Sequence, residues 1–94
     1  MKKVSDMSEK EFIEHVANAC IGHMSEEDKQ CFRDNPNSDF HHFGYGAYIR
    51  NNYIYNKKLS FGPFIADDLS NAIIERIIAI INGNIWSRYH ICGM

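Results

Sequence analysis

Ninety-four residues at 10.9 kDa suffice for one small domain, residues 1–94, with no room for a second. With 45% hydrophobic and 13% aromatic residues, and only six Gly and two Pro, the composition excludes a disordered, collagen-like or disulfide-dense chain. The net charge of -2 splits into five Lys/Arg against nine Asp/Glu over residues 1–40 and five against three over residues 41–94. The basic residues of the second part are scattered, which disfavours nucleic acid, whereas an acidic first part suits a basic protein partner.

The N-terminal Met1-Lys2-Lys3-Val4-Ser5-Asp6 has no apolar run behind it and does not read as a signal peptide. Ser8-Glu9-Lys10-Glu11 is a capping box, and Phe12, Ile13, Val16, Ala19 and Cys20 follow at helical spacing. The pattern predicts a helix over residues 9–21 ended by Gly22. Ser25-Glu26-Glu27-Asp28 opens a second, short helix that Asn35-Pro36 must stop, because a residue before Pro is pushed out of the α region.

Residues 39–54 are ambiguous. Asp39 is a candidate cap, with Phe40, Phe43, Ala47 and Arg50 at helical spacing, but Gly44 and Gly46 each cost a helix about 1 kcal/mol. Their presence implies close packing against a neighbour, or a helix that starts only after Gly46. A loop follows between Asn56-Lys57-Lys58 and Gly62-Pro63, with Leu59, Phe61 and Phe64 expected on the core. Asp67 or Asp68 then caps a helix running to Ile81 or Asn82, ended by Gly83. Its stripe of Leu69, Ile73, Ile77, Ile80 and Ile81, widened by Ala72, Ile74, Ile78 and Ala79, makes it either central or a homodimer interface. The longest apolar run, Ile77–Ile81, is far short of the ~20 residues needed to cross a bilayer. Ile85–Ile91 reads as a docked tail. The fold class is therefore all-α, a small bundle of three to five helices with long loops. The stretches Tyr53–Tyr55 and Ile85–Ile91 are the candidates for a minor two-stranded element.

No cofactor motif stands out. The three cysteines (Cys20, Cys31, Cys92) cannot all pair internally, and the composition points to a reducing cytoplasm. Cys20-Ile21-Gly22-His23 has C-x-x-H spacing, but Cys31 lacks a close second ligand, so no metal site is expected. His42, Arg50, Asp67 and Asp68 are the residue types of a proton-transfer or phosphate-handling site. Helix capping and an Arg clamp explain the same residues more economically, and the expectation is a non-enzyme.

His42-Phe43-Gly44-Tyr45-Gly46-Ala47-Tyr48-Ile49-Arg50-Asn51-Asn52, followed by Asp67-Asp68-Leu69-Ser70, resembles a family of small bacterial domains of unassigned function. That family has a pattern close to H-x-x-x-G-x-x-I-R-N-N, an aromatic loop, then D-D-[LM]-S opening an Ile/Leu helix. The resemblance covers residues 40–83, and departs where Tyr53-Ile54-Tyr55-Asn56 replaces a Trp-bearing loop. Such domains occur among immunity proteins of contact-dependent and other polymorphic toxin systems. The resemblance implies a bacterial binding protein and transfers no catalytic residue.

The expected function is a cytoplasmic immunity-type protein that binds and neutralises a cognate toxin domain. The alternatives are a small enzyme using His42, Arg50 and Asp67/Asp68, or a homo-oligomeric module joined through the Ile-rich helix. Candidate partner contacts are Glu11, Glu14, Glu26, Glu27, Asp28, Tyr45, Tyr48, Tyr53, Tyr55, Trp86 and Arg88, because Tyr, Trp and Arg anchor interfaces and carboxylates steer basic partners. His42, Gly44, Gly46, Arg50, Asn51, Asn52, Asp67, Asp68 and Ser70 form the expected structural motif.

Overall fold

The capping box at Ser8 forms as the sequence predicts. In a computed structural model of the chain, which describes residues 6–55, 59 and 65–83, Ser8 Oγ accepts from Glu11 N–H at 3.2 Å while Ser8 N–H donates to Glu11 Oε1 at 3.0 Å. Helix α1 (Glu9–His23) runs through Gly22 and ends at Met24, whose extended backbone feeds the Ser25 cap of α2 (Glu26–Asp34). Gly22 is thus not a terminator: with two helices one residue apart, the second cap sets where the first must stop. Asn35-Pro36 ends α2 as expected.

Asn37 rather than Asp39 caps the single-turn α3 (Ser38–His41), its side chain accepting from Asp39 N–H at 2.9 Å. A turn over residues 42–44 leads to α4 (Tyr45–Ile49), which continues without a break into a π-wound segment, Arg50–Ile54. There Tyr55 N–H reaches back five residues to Arg50 C=O at 2.8 Å. Tyr53–Tyr55 is accordingly helical or turn, not strand, while its suggested partner Ile85–Ile91 lies outside the described residues, as do Phe61 and Phe64. The last described helix, α5 (Ala66–Ile81), starts one residue before Asp67; Ile65 holds the cap position without a side-chain bond, and Asp67 and Asp68 lie in the first turn, where carboxylates oppose the positive end of the helix dipole. Gly83, at φ 82°, follows its end. All-α is the fold class, with no strand among the described residues.

Helix α5 is the axis of the molecule. Leu69, Ser70, Ile73, Ile74, Ile77 and Ile78 are buried against Phe12, Val16, Ala17 and Cys20 of α1, Phe32 of α2, and Ile49 and Ile54. The isoleucine stripe is therefore covered from within the same chain, with only Ile80 and Ile81 left half-buried at its end. Leu59 packs partly against the same core. Among the described residues no helix is long and apolar enough to cross a membrane.

The two glycines of the α4 region differ. A Cβ on Gly44 would meet open space, whereas one on Gly46 would lie 3.1 Å from Arg50 Nη1 and 3.4 Å from both His41 O and Ile74 Cδ1. Gly46 lets α4 approach α5 and the Arg50 guanidinium together, and the helix begins before it, so close packing is the reason for this glycine. Gly46→Ala is expected to lower stability by about 1 kcal/mol through overpacking, although the helix-propensity gain has the opposite sign. Gly44→Ala is expected to be neutral or stabilising by up to about 1 kcal/mol. A urea midpoint for Gly46→Ala at or above the parent's would remove the close-packing account.

Candidate functional site

The residues of the sequence motif meet around one guanidinium. Arg50 is carried inward by α4 and the π-wound segment and is only 8% exposed. Its Nη1 donates to Ser70 Oγ at 2.9 Å, its Nη2 to His42 C=O at 3.2 Å, and its Nε lies 3.5 Å from Asp67 Oδ1. Ser70 is fully buried and in turn donates to Asp67 C=O at 3.0 Å. An arginine suits this place because its planar fork holds several acceptors in fixed directions at once. It fastens the first turn of α5 to the turn that follows α3.

His42 contributes its backbone carbonyl to this cluster, and its ring bonds to a different residue. Nδ1 of His42 donates to Asn71 Oδ1 at 3.2 Å. Farther along, Ser38 Oγ donates to Glu75 Oε2 at 3.4 Å. Asp67, Asn71 and Glu75 stand at i, i+4 and i+8 on α5, one face of the helix. The chain from Ser38 to His42 thus runs along α5 in the opposite direction, tied by a polar seam with Arg50 at one end and Glu75 at the other. Asn71, Glu75 and Ser38 were not singled out by the sequence reading. The available signal was polar side chains recurring every four residues on an otherwise isoleucine-rich helix.

His41, adjacent, is buried; its ring stacks on Phe32 at 4.0 Å and Nε2 donates to Asn35 C=O at 2.8 Å. Asn52 Nδ2 donates to Tyr48 C=O at 2.8 Å, and both Asn51 and Asn52 are exposed.

The candidate contact residues divide. Tyr45 and Tyr53 are half-buried, Tyr45 edge-on to Phe32 at 5.3 Å, while Tyr48 and Tyr55 are exposed. Glu11 serves the capping box. Glu14 is held by Arg76 in a two-pronged pair at 2.7 and 3.1 Å, which brings its carboxyl below the usual range. Glu26 lies 3.4 Å from Lys29, and Glu27 and Asp28 face solvent at the start of α2. Trp86 and Arg88 lie outside the described residues. The helical spacing that begins at residue 40 is interrupted by the turn over residues 42–44, and Phe40 is 61% and Phe43 87% exposed. A cleft of about 680 Å³ opens beside Ser8, Glu9, Lys10, Ile13, Glu14 and Arg76, on the α1 side and not at the Arg50 cluster. Among the described residues no three His, Cys, Asp or Glu side chains converge on a metal position.

Burial raises the Cys20 thiol, and burial together with the Cys20 hydrogen bond carries the Tyr45 phenol well above the usual range; Tyr53 is raised by burial as well. These groups stay neutral in the folded protein, while in the unfolded chain they ionise near the ordinary thiol and phenol values, about 8.5 and 10. The unfolded state therefore loses protons first, and stability is complete below about pH 8.5 and falls as the pH rises through the folded-state values. The decline is at most about 1.4 kcal/mol per pH unit for a group fully shielded from water, and less for the half-exposed Tyr45 and Tyr53. Tyr45→Phe is expected to decline less steeply than the parent above pH 10. Urea titrations at pH 7, 10 and 11 measure both slopes, and parallel slopes would contradict a half-buried Tyr45 that stays neutral.

No family model matches this chain, and no curated protein or solved structure matches it.

Proposed function

We propose that this chain is a non-enzymatic immunity-type protein that binds a cognate protein toxin domain in the bacterial cytoplasm and blocks it. The observation that carries this reading is the run of exposed aromatic side chains, Phe40, Phe43, Tyr48 and Tyr55, along residues 40–55, while the other large apolar residues among those described, Ile65 apart, lie in or against the core. Exposed aromatics of this kind serve protein–protein contact, where Tyr and Phe supply large area at small entropy cost. The stretch coincides with the motif that resembles the bacterial immunity domains.

Support for binding over catalysis comes from the partners that His42 and Arg50 already have. Arg50 points its donors at Ser70, His42 C=O and Asp67, and the His42 imidazole is engaged by Asn71. A general acid–base pair needs its ring free to meet the reacting group, and here Nδ1 of the ring is bonded to Asn71. The deciding experiment is co-expression with the toxin encoded next to this gene. Co-purification and restored growth are expected; toxicity undiminished at equal expression, with no complex recovered, rejects the proposal.

A further inference from the structure

We infer that the partner docks on the face built from α3, the turn after it and the first turns of α5, and that it contributes a basic side chain, an arginine or lysine, seated against Phe43. This deepens the binding reading above and rests on it. Phe43 has the largest exposure among the large apolar side chains described, and Phe40 stands three residues before it. A ring held in water costs hydration free energy unless a partner covers it. The backbone beneath it is rigidly fixed: His42 C=O is held by Arg50, the His42 ring by Asn71, and the Phe43 ring meets the His42 ring edge-on at 4.8 Å. The aromatic is therefore presented on a braced turn, which lowers the ordering cost of binding.

Charge selects the occupant. The His42 ring that Phe43 meets is bonded to Asn71, and Asp67, Asp68 and Glu75 stand one helical turn before and after Asn71, all exposed. Asp39, also exposed, precedes Phe40, and Ser38 ties that end of the segment to Glu75. Arg50 is the counter-charge within this group, and it is buried beneath the surface. A ring among carboxylates is complementary to a guanidinium or ammonium, which gains from the π-face and from the surrounding negative charge together. The face repels a phosphate backbone or another acidic surface. The acidic start of α2 (Glu26, Glu27, Asp28) lacks an exposed ring among its own residues and is the competing location.

The test uses the full chain, a hexa-arginine peptide as probe and a hexa-glutamate control. Amide chemical shifts are expected to move at residues 38–43 and 67–75 with hexa-arginine, and not with hexa-glutamate. Phe43→Ala, a change at an exposed site, is expected to weaken this binding about two- to fivefold while leaving the melting temperature in place. Largest shifts at residues 26–28, or equal affinity for Phe43→Ala, overturn the inference. Failure of the functional reading is seen separately: if the neighbouring toxin neither binds nor is neutralised, that reading falls. If the toxin binds the parent and Phe43→Ala with equal affinity, the reading stands and this face is wrong.

Discussion

Arg50→Ala is expected to lower the unfolding free energy by about 3 kcal/mol, read from urea melts at neutral pH. The buried guanidinium makes hydrogen bonds to Ser70 Oγ and His42 C=O, and hydrogen bonds from a charged donor contribute about 1.5–3 kcal/mol each before compensation. Its loss leaves the His42 carbonyl without that donor, while Ser70 keeps its bond to Asp67 C=O. Asp67 is 60% exposed and regains water, so the ion pair is the weaker part of the cluster. Two double-mutant cycles separate the contributions: coupling of Arg50 to Ser70, measured with Ser70→Ala, is expected at about 1–2 kcal/mol. Coupling to Asp67, measured with Asp67→Asn, is expected below about 1 kcal/mol. The reverse order would make the cluster an ion pair first and a hydrogen-bonded clamp second. Arg50→Lys keeps the charge but not the fork, and is expected to recover less than half of the loss.

Ile77→Ala is expected to cost about 2–5 kcal/mol, a large part of the stability of a domain this size. Ile77 is fully buried at the centre of α5, among side chains from α1 and the rest of the core, so truncation leaves a cavity that several helices would have to move to fill. Ile80→Ala, at a half-buried position near the helix end, is expected to cost about 1 kcal/mol because water and local relaxation fill the space. If the two substitutions proved equal, α5 would not be the central element that the burial pattern makes it. Ile80→Ala also bears on self-association: sedimentation of a monomer at micromolar concentration in both variants and parent is the expected result for a stripe already covered within its own chain.

Much of the helical framework was legible because its signals are local. Ser8 with Glu11, Ser25 with the carboxylates after it, Asn35-Pro36 and Gly83 act within one turn of themselves, and each starts or ends a helix in the structure. The misreadings lie where two local signals competed. Gly22 was available as a cap, but the helix passed through it because the next start stood at Ser25. Asp39 and Asp67 were available as caps, but Asn37 and Ile65 hold those positions. In both places the carboxylate falls inside the first turn, where the dipole favours it equally well.

The candidate site was legible as a residue set and not as a geometry. The motif put His42, Gly46, Arg50, Asp67 and Ser70 on one list, and these residues do meet, with Gly46 serving as the space that Arg50 occupies. Which atom of His42 faces Arg50 depends on the turn over residues 42–44, and that turn follows from packing of α3 on α5. The same turn breaks the helical stripe, so Phe40 and Phe43 point to water while Arg50 points inward. Helical periodicity assumes one continuous helix and cannot register such a break.

By itself, then, the sequence determined an all-α chain organised around an isoleucine-rich helix, since caps, breakers and 3.6-residue periodicity are encoded over a few neighbouring residues. Only the tertiary structure decided that the Arg-Asp motif is a clamp beneath a polar seam, and that the exposed aromatics lie beside it. Those outcomes depend on contacts between residues 17 to 37 positions apart, where no local energy term distinguishes a side chain that finds a partner from one that is left to solvent.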